Sequence, residues 1–263
     1  PELQVVLNDK GQVTAIRERE RFASHKMIEE LMILANVAAA QTLEDLKLPT
    51  MYRVHDRPSE EKMEDLNAFL SAQGLKQHLK DHPRPDDFNR ILKEVDSSSK
   101  APGIHEMVLR SQSQAEYSPE NIGHFGLALD KYAHFTSPIR RYADVLIHRA
   151  LIKGLKLGEG ALADAEAAAF PKIAEHISAT ERQSAAAEQD ALDRYVAAYL
   201  ADRVGEKFTA RISSVTAFGL FVRLDAYGAD GLIPISSLPD DYYVFDDRLN
   251  RLKGRSTNRI FAI

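Results

Sequence analysis

Apolar and polar residues alternate over residues 3–17, interrupted by Asn8-Asp9-Lys10-Gly11. That pattern predicts a β-hairpin turning at the tetrapeptide. The period then changes to that of a helix over 24–46, apolar nearly all round between Leu31 and Ala40, as expected of a buried central helix. Residues 50–56 read as a short strand. Pro58-Ser59-Glu60-Glu61 opens a second helix with Met63, Leu66, Phe69 and Leu70 on one face. A polar, Pro- and Ser-containing connection over 76–102 surrounds a helix near 85–95, and a short helix follows near 103–114. Residues 124–129 read as a buried strand running into a helix over 138–154, with Ser137 as its N-cap and Pro138 at the first helical position. A Gly-containing loop near 157–160 and an Ala-rich stretch precede a long helix over about 171–203.

The character changes at Val204-Gly205. From Lys207 the pattern is one of short alternating strands, 208–215, 219–224 and 231–235, separated by turns. Strands of this length and spacing predict a small Greek-key barrel. The expected class is therefore α+β: a mostly helical domain with a short sheet over 1–203, then a small OB-fold barrel over 204–263, truncated, with only its first strands present.

At 263 residues the chain has room for one large or two ordinary domains. Its apolar fraction of 44% supports a core, and 28% charged residues fit a soluble protein. There is no cysteine, hence no disulfide or thiolate chemistry, which fits a reducing cytoplasm. No apolar run reaches the length needed to span a bilayer, so no membrane partner is expected. The formal net charge of −5 argues against coating nucleic acid over the whole surface, yet leaves room for a locally cationic channel. Pro1 falls inside a strand pattern and Ile260-Phe261-Ala262-Ile263 inside an apolar run. One or both ends are expected to be cuts within a longer chain.

The chemistry concentrates in residues 124–149. Arg140 and Arg141 would fall in the first turn of the Ser-Pro helix, where the helix dipole is already positive. They do not serve helix stability there, but make a site suited to an anion such as phosphate. The plainer alternative is two surface arginines reaching back to carboxylates. Arg140, Asp144 and His148 recur at four-residue spacing on one face. Asp144 and His148 read as an orienting shell, as ligand contacts, or as an intrahelical polar ladder. Glu29 and Asn36, seven residues apart, share a side of the 24–46 helix and need either structural partners or a polar channel. Glu188 follows three alanines that permit close backbone approach; the alternative is an exposed helix carboxylate. Aromatic rings near the arginines suit base stacking, with Tyr132 and His134 as the foremost candidates among mostly core rings.

Tyr132-Ala-His-Phe-Thr-Ser-Pro-Ile-Arg-Arg-Tyr142, within His124–Arg149, resembles the signature of the ribonuclease II/R family of 3′-to-5′ exoribonucleases. Residues 26–36 and Tyr52–Ser59 resemble the family's helix and the strand that follows it. Val215–Val222 and Gly231–Ser236 resemble the S1-type OB fold of RNA-binding proteins. The resemblance implies processive, Mg²⁺-dependent hydrolysis of single-stranded RNA to nucleoside 5′-monophosphates. It assigns the RNA phosphate to Arg140, an active-site glutamate to Glu29 and a 3′-nucleotide contact to Glu188. In the barrel, Phe208, Phe218 and Phe221 fit the nucleic-acid face, with Arg211 and Arg223 as phosphate contacts, although Phe221 could equally point inward. The family draws its metal ligands from an aspartate cluster upstream of this chain. Asp86-Asp87, Asp240-Asp241 and Asp246-Asp247 read as solvated loop pairs, and His78 and His82 lack a third ligand, so no metal ligand is assigned and the chain by itself is expected to be inactive. Two rivals remain: an RNA-binding protein of the same fold without catalysis, and a structural module with Arg140 and Arg141 in salt bridges.

Overall fold

The computed structural model describes residues 3–75, 79–80, 82–98, 100–247 and 249–263; His78 lies outside them. In chain order the elements are β1 (Leu3–Leu7), β2 (Val13–Glu18), α1 (Ala23–Asp45), β3 (Tyr52–Val54), α2 (Glu60–Ala72), α3 (Pro85–Val95), α4 (Ala101–Ser111), β4 (Glu116–Ser118), α5 (Tyr142–Leu155), α6 (Asp164–Ala168) and α7 (Phe170–Ala201). Six strands follow: β5 (Ala210–Thr216), β6 (Gly219–Leu224), β7 (Asp230–Pro234), β8 (Tyr243–Asp246), β9 (Arg251–Gly254) and β10 (Ile260–Ala262). The fold is α+β.

The chain forms two compact units, each discontinuous in sequence: residues 20–58 with 112–187, and residues 1–19, 59–111 and 188–263. In the first, α1 packs on α5 around Leu43, Met51, Val54, Leu146, Ile147 and Phe170, all at most 2% exposed. The short antiparallel pair β3–β4 borders this core; β4 was not foreseen. Lys47 closes the end of α1 in the left-handed region, at φ 54°, where the Leu48 N–H reaches the Leu43 carbonyl at 2.9 Å.

In the second unit β1 and β2 form the expected hairpin. Its turn is held by the Asn8 carboxamide oxygen, which accepts the N–H groups of Lys10 and Gln12 at 3.0 and 2.9 Å. Ser59 caps α2, accepting from the Lys62 N–H at 3.4 Å. Its buried face is Met63, Leu66, Phe69 and Leu70, as the periodicity predicts. The C-terminal part holds two three-stranded antiparallel sheets, β5-β6-β7 and β10-β9-β8, around Val215, Leu220, Val222 and Leu252. The strands β8 to β10 were missed by the pattern reading, because three or four residues leave little room for alternation to register.

Three local expectations fail. Residues 124–129 form a tight turn instead of a buried strand. His124 donates its N–H to the Leu129 carbonyl at 2.8 Å, while its ring nitrogen accepts the Leu127 N–H at 3.2 Å, folding the segment on itself. Ser137-Pro138 opens a turn over 138–140 instead of a helix. Arg141 is extended (φ −128°, ψ 118°) as the N-cap of α5, which starts only at Tyr142, so neither arginine lies in the first helical turn. The 31–40 stretch of α1 is not buried all round: Leu31 and Leu34 are 53% and 64% exposed, whereas Asn36, Ala39 and Ala40 are buried.

Candidate functional site

Within the unit of residues 20–58 and 112–187, α1 presents His25, Ile28, Glu29, Met32, Ile33 and Asn36 along one face, at the three- and four-residue spacing of a helical stripe. Opposite stand Leu127, Tyr132, Thr136 and Arg141 from the loop between β4 and α5. Together they line a cavity of about 420 Å³, concave, mostly apolar and carrying a few polar groups, as ligand sites are.

Asn36, 3% exposed, is fully engaged. Its amide donates to the Tyr132 hydroxyl at 2.9 Å and its oxygen accepts the Phe135 N–H at 2.8 Å, which fixes the loop against α1. Glu29 pairs with Arg21; both are exposed, so the pair is weak and its carboxylate can change partner.

The two arginines differ. Arg141 lines the cavity, and its Nη2 donates to Asp144 Oδ1 at 2.7 Å. Arg140 is exposed at the end of the turn and does not line the cavity, and its guanidinium has no hydrogen-bond or ion-pair partner among the described residues. Asp144 is fully buried and also accepts the Ser137 N–H at 2.7 Å. His148 stacks on Phe135, with ring centroids 4.3 Å apart, and its Nε2–H donates to the Phe135 carbonyl at 2.9 Å. Asp144 and His148 thus bind the loop, and among the described residues they form no hydrogen-bonded ladder with Arg140 along the helix.

Tyr132 and His134 part company as well. The Tyr132 ring walls the cavity. His134 packs edge-on between Tyr117 and Tyr132, with its Nδ1 2.9 Å from the Tyr117 hydroxyl. Desolvation by burial, with Arg141 and Arg53 nearby, holds the His134 imidazole down to about 3. Burial, with His55 and Arg53 adding to it, lowers His124 to about 4. Both are neutral in ordinary buffers. Burial also pushes the Tyr117 phenol up to about 12.

In the other unit Glu188 is exposed on α7. On β6, Leu220 and Val222 enter the barrel core, so strand alternation turns Phe221 and Arg223 to the outer face. There Phe221 meets Phe218, 58% exposed, edge-on at 6.1 Å. Arg211 stands opposite Arg223 in the β5–β6 register. Each is neutralised by its own carboxylate: Arg211 by Asp225 at 2.6 Å, Arg223 by Asp230 at 3.0 and 3.1 Å. Both pairs are exposed and therefore weak, so either arginine can exchange its carboxylate for a phosphate. Phe208, just before β5, packs edge-on against Tyr227.

His25, Ile28, Met32, Ile33, Leu127 and Thr136 were missed. The first four carried a legible signal in the stripe they share with Glu29. For Leu127 and Thr136, loop residues with no period, there was none.

The family model of the RNB domain matches residues 1–156, and that of the S1 RNA binding domain matches residues 201–257. Ribonuclease R of Aquifex aeolicus (strain VF5) is 41% identical over all of this chain, which covers 37% of that protein. Ribonuclease R of Escherichia coli (strain K12) is 40% identical over all of the chain, covering 33% of the relative. Among solved structures, Mycoplasma genitalium RNase R in complex with ribose methylated single-stranded RNA superposes with a TM-score of 0.92 at 32% identity, over 100% of this chain and 42% of that one. The chain thus spans about a third of the length of these curated relatives.

Proposed function

Since the chain belongs to the RNB-domain family, we propose that it is part of a processive exoribonuclease that hydrolyses single-stranded RNA from the 3′ end, in the cytoplasm, to nucleoside 5′-monophosphates. The observation that carries the reading is the contrast between the two arginines beside the cavity. An exposed guanidinium with no side-chain partner among the described residues is available to a phosphate, and such a contact strengthens as charge develops in the transition state. Arg140 takes the phosphate at the scissile bond. Glu29, weakly held by Arg21, and Glu188 on α7 position the terminal nucleotide. Tyr132 offers its ring to the RNA from the cavity wall, and Arg141 faces the same cavity. Phe218 and Phe221 on the barrel's outer face feed the strand by stacking.

Such hydrolysis uses divalent ions, Mg²⁺ by the resemblance, to stabilise attacking and leaving oxygens. Among the described residues no group of three or more His, Asp or Glu is placed to hold a metal ion, so the residues here do not fit that role. The ions would take their ligands from outside this chain.

The test is Arg140→Ala in the full-length parent. Loss of one such donor is expected to lower turnover of single-stranded RNA by about 10²-fold or more, with unchanged thermal stability because the side chain is exposed. Turnover within twofold of the parent would overturn the assignment.

A further inference from the structure

We propose that Asp144 is a positioning residue for Arg140, acting through the turn that carries it; the proposal rests on the reading of Arg140 given above. A single oxygen, Asp144 Oδ1, accepts the Ser137 N–H and the Arg141 Nη2–H, both at 2.7 Å. Ser137 and Arg141 are the two shoulders of the turn over 138–140. The Ser137 carbonyl in its turn accepts the N–H groups of Arg140 and Arg141 at 3.3 and 3.1 Å. The turn is thus closed by backbone bonds on one side and by one carboxylate oxygen on the other. Removing that oxygen frees both shoulders together.

The pair is poorly arranged for stability. Asp144 is fully buried and Arg141 largely so, yet Asp144 Oδ2 and Arg141 Nε have no partner among the described residues. A buried ion pair offsets the loss of hydration only when its remaining donors and acceptors are satisfied, and unsatisfied buried groups need another reason to persist. Specificity of geometry supplies one. With its guanidinium engaged by Asp144, Arg141 does not compete for the phosphate, and the neighbouring Arg140 is held out of the wall and exposed. Asp144 also occupies the third position of α5, where a negative charge suits the helix dipole. A role confined to capping would affect stability alone, whereas a positioning role must affect turnover.

The experiment uses the full-length parent and single-stranded RNA, measuring kcat, KM and Tm for Asp144→Asn, Arg141→Gln, their combination, and Arg140→Ala. Displacing a catalytic group by about 1 Å costs on the order of 100-fold. The expected result is a fall in kcat of at least about 30-fold for Asp144→Asn with KM within about threefold. The double variant should be no worse than the poorer single one, because both break one contact. If Arg140→Ala is disabled while folded Asp144→Asn keeps the parent's kcat, or changes KM alone, this proposal falls and the reading of Arg140 stands. If Arg140→Ala keeps its turnover, both fall. Should Asp144→Asn fail to fold, Arg141→Gln decides: a kcat loss supports the proposal, and a normal kcat overturns it.

Discussion

Desolvation sets the charge of the histidines behind the Tyr132 ring. His134 and His124 are held to about 3 and about 4 in the folded chain, against an ordinary value near 6.5 for an unfolded one. The unfolded chain therefore binds more protons below pH 6.5. The contribution of these rings to stability is complete above that value and declines as pH falls toward 4, by up to about 1.4 kcal/mol per pH unit for each ring. His134→Gln, which cannot titrate, should flatten the dependence of unfolding free energy on pH by roughly one proton between pH 4 and 6. Urea titrations of the chain at several pH values measure this, and an unaltered slope would refute the assignment to His134. The aromatic richness of residues 124–142 was legible as sequence. Which ring faces the cavity was not, because Tyr132 and His134 are separated by one residue in a loop, where side-chain direction follows the backbone path and no period foretells it.

At the scale of elements, strand alternation sorts the barrel residues. Leu220, 2% exposed, belongs to the core, whereas Phe218, 58% exposed, projects from the turn before β6. Phe218→Ala should weaken binding of single-stranded RNA by about 1 kcal/mol or more while leaving the melting temperature unchanged. Leu220→Ala should destabilise the barrel by about 2–5 kcal/mol. Fluorescence anisotropy with a labelled oligonucleotide, alongside thermal melts, separates the two, and an Ala at 218 that binds as tightly as Phe would remove this face from the RNA path. Long elements with many periods, α1 and α7, were legible to within about two residues. The Ser-Pro segment was not. Its local signal for a helix start was sound chemistry, but the buried Asp144 takes the Ser137 N–H, and Arg141 is extended at the N-cap. The helix thus starts four residues later than expected.

At the scale of the molecule, the two compact units draw on interleaved stretches of chain, so no single cut in the sequence separates them. The chain spans about a third of its relatives, and its described residues offer no cluster to hold a metal ion. The purified chain with Mg²⁺ is accordingly expected to degrade single-stranded RNA little or not at all. Sustained release of nucleotides, followed by gel or acid-soluble product, would show that a metal site had been misplaced. Membership of the family and the α+β class were settled by the sequence itself, because a long motif and sustained periodicity are properties of the chain, whatever path it takes. Which of two adjacent arginines is held by a buried carboxylate and which stands free was decided only in three dimensions. The deciding atoms, Ser137 N, Arg141 Nη2 and Asp144 Oδ1, belong to a turn whose shape depends on what is packed beneath it.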